Sequence, residues 1–289
     1  MDNSQTTFDN GATHSQLEYL AHAYAATKDE RYKSAFLHGV DFIISAQYGN
    51  GGWPQFYPDT SHYRKYITFN DGAMAGIMKL LFNIVYQKQD FDFIDVDTRN
   101  KIDSVFQRGI QCILDCQIKV NGIRTVWCQQ HDNIDLRPQH ARTFEPAALC
   151  SQESSELVLF LMKIKNPSRK IIDAVNNAVA WFDRSTIYGI KVETIKAPKT
   201  EYTYHTADFD KVVVADSSAP PMWSRLYEIE TNKPLFCNRD GHPVYSLAEV
   251  ERERRTGYGW YGYEPSKVLK KYAQWQKKWS PERNVLEYR

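Results

Sequence analysis

The stretch Tyr66-Ile67-Thr68-Phe69-Asn70-Asp71-Gly72-Ala73-Met74 joins a polar turn to an apolar run, and its reading decides the fold. Beyond Asn70-Asp71-Gly72, residues Met74, Ile77, Met78, Leu81 and Ile84 recur at helical spacing. A carboxylate at such a junction caps the helix or points out of its N-terminal end. The phrase occurs twice, since Phe8-Asp9-Asn10-Gly11-Ala12-Thr13 is nearly the same with Asp and Asn exchanged. One such turn alone is most simply read as an N-cap. Two of them, each opening a helix, favour a shared oxygen-rich site of the kind a hard cation accepts.

Working outward, Leu17, Leu20, Ala21 and Tyr24 mark one amphipathic helix, and Phe36, Val40, Ile43 and Ile44 a second. Ile102, Phe106, Gly109, Ile113 and Gln117 trace a further one after the Asp71 helix. Phe36, Gly39, Ile43 and Gln47 align at one constant offset with Phe106, Gly109, Ile113 and Gln117, so the chain repeats internally. Each unit reads as an acidic turn, an inner helix, an outer helix and a loop carrying Trp53 or Trp127. A weaker third unit runs from Phe144-Glu145-Pro146 through Leu157, Phe160 and Leu161 to Ile171–Phe182. These patterns predict an all-α fold, an (α/α)3 toroid of helix pairs with a few short irregular strands. Ile190 to Ile195 and Lys211 to Val214 read as a short hairpin or irregular strands. Helix returns from about Leu247 to Arg255 and from Pro265 to about Trp275. No Ser- or Gly-rich linker interrupts the chain, so residues 1–289 read as a single catalytic domain.

Composition narrows the partners. With 36 basic against 35 acidic residues, the net charge of +1 calls for neither nucleic acid nor a membrane surface. No apolar run approaches the roughly 20 residues of a membrane span. The five cysteines match no zinc spacing and read as free thiols. The segment Met1-Asp2-Asn3-Ser4-Gln5 has no signal-peptide core.

The turns and loops gather an unusual set of side chains. Asp9, Asn10, Asn70 and Asp71 supply oxygen; Arg142, Arg225 and Arg239 stand beside turns or aromatics; Trp53, Tyr57, Trp127, Tyr258, Trp260 and Tyr261 are available for stacking. No Ser-His-Asp order, H-E-x-x-H or phosphate loop is present. In bland terms, Arg225 is an ion-pair partner of Glu228, Arg239 pairs with Asp240 in a turn, and His131-Asp132 is a loop pair satisfying backbone donors.

Several of these phrases resemble the pectate lyases of polysaccharide lyase family 10. They are Phe8-Asp9-Asn10-Gly11-Ala12-Thr13, Asn50-Gly51-Gly52-Trp53-Pro54, Ile67-Thr68-Phe69-Asn70-Asp71-Gly72, Trp127-Cys128-Gln129-Gln130-His131-Asp132, Ala141-Arg142-Thr143-Phe144-Glu145-Pro146, Trp223-Ser224-Arg225-Leu226-Tyr227, Asn238-Arg239-Asp240-Gly241 and Gly257-Tyr258-Gly259-Trp260. The match is collinear over nearly the whole chain. It implies calcium-assisted β-elimination of polygalacturonate, with Asp9 and Asp71 as metal ligands and Arg142 at the position of the proposed base. It also implies that Arg225 and Arg239 hold substrate carboxylates, with Asn10 and Tyr258 in the substrate-binding set. A guanidinium has a pKa of about 12.5–13.8 and is normally only a donor, so Arg142 is either a base favoured by nearby cations or a charged clamp. Two protein carboxylates are few for an ion that takes ~6–8 oxygens, so the calcium site is expected to be weak without substrate.

Two other readings compete with this one. A glycoside hydrolase of toroid fold would use Asp71, Asp132 or Glu145 as acid and base and leave saturated products. A silent glycan-binding protein would release nothing. The resemblance further implies a monomer whose natural form is secreted or periplasmic, with an export signal expected upstream of this sequence.

Overall fold

The computed structural model describes residues 6–59, 61–87 and 90–286. It divides into two compact units, one of residues 1–116 with 129–139, the other of residues 117–128 with 140–289.

In the first unit, α1 (His14–Thr27) packs on α2 (Glu30–Ala46), and α3 (Ala73–Phe82) on α4 (Val96–Cys116). The inner helix α3 buries nine of its ten residues, which is why its sequence is apolar on every side. The repeated glycines explain how the pairs close. A Cβ on Gly39 would stand 2.2 Å from a methyl of Leu17, and one on Gly109 2.4 Å from the sulfur of Met78. In each pair the outer helix therefore uses glycine to admit a side chain of the inner one. The repeated glutamines also act alike. Gln47 donates to the carbonyls of Gly51 and Val105, bridging its own loop to the next outer helix.

In the second unit, α5 (Ser151–Leu161) and α6 (Arg169–Arg184) pack on each other and on the C-terminal α8 (Glu264–Trp279); a short helix α7 (Arg252–Gly257) precedes it. There Gln117 donates to the carbonyls of Thr125 and of Ala174 in α6, repeating the Gln47 bridge. The strand Leu226–Tyr227 pairs antiparallel with Leu149–Cys150 on one side and Pro234–Cys237 on the other, and Pro243–Val244 completes the sheet. Phe144, Leu226, Phe236 and Trp260 form the apolar floor of this region.

The all-α (α/α)3 toroid expected from the sequence is thus corrected. The described residues alternate eight α-helices with fifteen strands in several antiparallel sheets. Most of these strands are two residues long, too short for alternation to be read in sequence. The longest are the two strands of the hairpin Ile190–Glu201 with Thr206–Ala215, far longer than the pattern suggested. All five cysteines are buried thiols outside any disulfide, as expected.

His131 lies fully buried in the strand Gln130–His131, and its Nδ1 donates to the carbonyl of Leu136 at 2.8 Å. Burial lowers its pKa to about 4, so it stays neutral in the fold where an unfolded histidine would take a proton. Between pH about 6.5 and 4 the unfolded chain binds the extra proton, so stability falls as pH falls through that window. The expected loss is about 3 kcal/mol at pH 4, checked by denaturant unfolding at a series of pH values. His131→Gln should flatten the dependence.

Candidate active site

The two acidic turns have one backbone conformation. Asp9–Gly11 and Asn70–Gly72 are single 3-10 turns, with Asn10 at φ 50°, ψ 31° and Asp71 at φ 48°, ψ 29°. Asn and Asp are the side-chain-bearing residues that tolerate this left-handed region best. Matching the turns by conformation makes Asp9 equivalent to Asn70 and Asn10 equivalent to Asp71, so each turn offers one acid and one amide in opposite order. Neither Asp is the N-cap of the following helix, since Thr13 and Gly72 hold those positions. The two turns pack against each other, as the duplication predicted.

Their side chains are held by amides. Asn10 donates to Asp9 at 3.0 Å and Asn70 to Asp71 at 2.8 Å. Gln55 donates to the other oxygen of Asp9 at 2.9 Å, and Gln130 donates to Gln55 and Thr68. Gln129 carries the second turn: its carbonyl accepts from the backbone of Phe69 and Asn70, and its side chain donates to Asn70 Oδ1 at 3.0 Å. Gln55, Gln129 and Gln130 were assigned no role from sequence, because polar residues in loop-like phrases carry no periodic signal. The donors facing outward are hard carboxylate and amide oxygens. Among the described residues no group of three or more His, Cys, Asp or Glu is assembled for a metal. The set fits calcium better than a transition metal, with few protein carboxylates.

The second unit gathers arginines. Arg142 donates Nε to Glu145 at 2.8 Å, and its Nη2 contacts the other oxygen of the same carboxylate. Glu145 is only 3% exposed, whereas the Arg142 side chain is 50% exposed. Arg225 donates Nη2 to Glu153 at 2.5 Å, not to Glu228, which is taken by Thr231 and Tyr245. Burial alone would lower the Arg225 pKa, but the charges of Glu153 and Tyr258 and the hydrogen bond to Glu153 outweigh it, so the group is held firmly charged. Arg239 forks onto Glu253 at 2.9 and 2.7 Å rather than onto Asp240. Removing Glu153 strands a buried guanidinium, so Glu153→Gln should cost about 3–5 kcal/mol of stability in chemical denaturation.

The sequence reading missed Arg254. It is 3% exposed, its Nε and Nη2 have no hydrogen-bond partner among the described residues, and its guanidinium lies over the rings of Phe144 at 4.3 Å and Tyr258 at 4.6 Å. Burial, and then the charge of Arg239, push its pKa below the usual guanidinium range. Cation–π contact replaces the missing hydrogen bonds in part. Within Arg252-Glu253-Arg254-Arg255 it reads as one charge in a solvated run, which hid it. Four guanidiniums, of Arg142, Arg225, Arg239 and Arg254, face three carboxylates, of Glu145, Glu153 and Glu253. The cluster therefore carries one positive charge in excess and suits an anionic polymer.

Several expected aromatics are absent from the surface. Trp53, Trp127 and Trp260 are core residues, and Tyr258 presents its ring to Arg225 as well as to Arg254, both at 4.6 Å. His131 is core, and Asp132 accepts from the backbone of Ile134 and Asp135, a loop-shaping role. Asp9, Asn10 and Asp71 thus fall in the first unit, and Arg142, Arg225, Arg239 and Tyr258 in the second.

The pectic acid lyase family model matches residues 1–269. The chain belongs to the pectic acid lyase family. Among solved structures, a family 10 polysaccharide lyase from Cellvibrio cellulosa superposes with a TM-score of 0.83 at 32% identity, over 94% of this chain and 81% of that one. A point mutant of a family 10 lyase from the same organism, in complex with trigalacturonic acid, matches with a TM-score of 0.83 at 31% identity, over 94% and 82%. No curated protein sequence matches the chain. As a pectate lyase it is an enzyme of polysaccharide breakdown, and the carboxylates of the hydrolase reading are accounted for otherwise. Glu145 is locked to Arg142, Asp132 shapes its loop, and Asp71 accepts from Asn70 in the acidic turn. Among the described residues no helix is long and apolar enough to cross a membrane.

Proposed function

We propose that this pectate lyase cleaves polygalacturonate by calcium-assisted β-elimination, leaving unsaturated oligogalacturonides. The observation that carries the reading is the pair of matching acidic turns, each with its carboxylate oriented by a neighbouring amide. The trigalacturonic acid bound by the Cellvibrio mutant supports the choice of polymer.

Elimination removes the weakly acidic C5 proton of a galacturonate and expels the C4 oxygen. Negative charge then accumulates beside an existing carboxylate, and cations relieve it most in the enolate-like transition state. Asp9 and Asp71 would hold calcium, with Asn10 alongside, and the ion when bound supplies Lewis acidity toward the uronate carboxylate. Arg225 and Arg239 hold substrate carboxylates, where a planar fork suits bidentate pairing. Tyr258 lines this set. Arg142 is the catalytic residue, as the member of the cluster with half its side chain open to solvent. A guanidinium is ordinarily a donor only, and this one already donates to Glu145, so its first role is to stabilise the enolate. The enzyme acts as a monomer and is exported, since its polymer lies outside cells.

Ultraviolet absorbance of unsaturated uronide from polygalacturonate tests the proposal. Absorbance should rise with calcium and stop with chelator. New reducing ends without absorbance would mean hydrolysis and overturn it.

A further inference from the structure

We propose that Tyr204 is an aromatic platform for a sugar ring beside Arg239, binding a galacturonate further along the polymer than the one at Arg142. The inference rests on the polygalacturonate reading above and extends its site.

Tyr204 lies at the tip of the hairpin, between Ile190–Glu201 and Thr206–Ala215. Among the described residues these strands pair only with each other, and a two-stranded ribbon is marginal on its own in water. Helix α7 supplies the missing support. Arg252 donates to the carbonyls of Pro198 at 2.7 Å and Phe209 at 3.0 Å. Arg255 forks onto Asp210 at 2.9 and 2.7 Å, and His205 Nε2 meets Thr256 Oγ1 at 2.8 Å. The register shifts between Ala207 and Phe209, and Ala207 is buried. The tip is therefore fixed to the helix whose Glu253 also grips Arg239.

What this scaffold presents is Tyr204. Its ring takes the Arg239 guanidinium at 4.6 Å, yet the residue remains 73% exposed. The guanidinium covers part of the ring, and most of the rest meets water. Closing the turn needs no aromatic here, and an exposed tyrosine has nothing to gain from the core. A pyranose offers a face of C–H bonds to a ring, and a galacturonate adds a carboxylate that the neighbouring Arg239 can take. Arg142 and Arg239 both lie over the Phe144 ring, and Arg239 also meets the Tyr204 ring, so Arg239 links Tyr204 to the ring that carries the catalytic arginine. The platform thus serves longer substrates, and its contribution appears only when the chain reaches it.

The test is kcat/KM by uronide absorbance on galacturonate oligomers of increasing length, for the wild type, Tyr204→Ala and Tyr204→Phe. Tyr204→Ala should lower kcat/KM about 5- to 10-fold on the longest oligomers, through KM, and less than about 2-fold on the shortest cleaved. Tyr204→Phe should match the wild type, and the melting temperature of both variants should be unchanged. An equal loss at every length, or none at any length, overturns the platform. Should the wild type release no unsaturated product from any oligomer, the elimination reading fails. Calorimetric affinities of the same oligomers then decide the platform by the same contrast in length.

Discussion

Arg142→Ala is expected to lower kcat on polygalacturonate by about 10²–10³-fold with a smaller change in KM, the signature of an interaction made mainly in the transition state. The variant leaves buried Glu145 without its guanidinium but keeps the backbone N–H of Arg142 as a donor to it, so thermal unfolding must show that the variant is still folded. Arg142→Lys separates the two chemical roles. Lysine keeps the positive charge but loses the fork that meets both oxygens of Glu145. If the residue acts as a charge, the lysine variant recovers part of the rate with the acid limb of the pH profile unmoved, and loses it again as the ammonium titrates. If it takes the C5 proton as a base, the optimum moves down, because an ammonium loses its proton near pH 10.4, well below a guanidinium. The carboxylate fork in the resting enzyme favours the first outcome.

The second large effect concerns the acidic turns. Asp71→Asn and Asp9→Asn should each raise the calcium concentration for half-maximal activity by at least about 100-fold, more than losses of supporting groups around metal sites typically cause. The opposed order of acid and amide allows a sharper test. The double variant Asn70→Asp with Asp71→Asn keeps the charge of the turn and moves it by one position. Because those positions differ in backbone conformation, φ 48° at residue 71 lying in the left-handed region, the moved carboxylate points elsewhere. The double variant should therefore stay inactive at the calcium level that saturates the wild type. Full activity would mean that only net charge matters, and the ligand assignment would fall.

Much of this was legible in the chain because helix signals are long and redundant. The stripes through Leu17, Phe36, Met74 and Phe106 located α1 to α4, and the Phe36/Phe106 alignment anticipated the shared glycine and glutamine contacts. The duplicated Asp turns were legible for the same reason. The fold class was not, since ladders of two residues such as Ile67–Thr68 against Gln130–His131 leave no periodic trace. Arg254 and Tyr204 were hidden by their neighbours. One sits in a charged run and the other at a hairpin tip, and only packing against Phe144 and Arg239 distinguishes them. Trp53 and Trp127, available for stacking by residue type alone, are core residues, because a loop tryptophan is as readily buried as exposed.

The central claim is that the glycosidic bond breaks without water. Cleavage of polygalacturonate in water enriched in heavy oxygen, followed by mass spectrometry of the products, measures this directly. The account predicts unsaturated products with no heavy oxygen incorporated at the new ends. One heavy oxygen per bond cleaved, on saturated products, would contradict it.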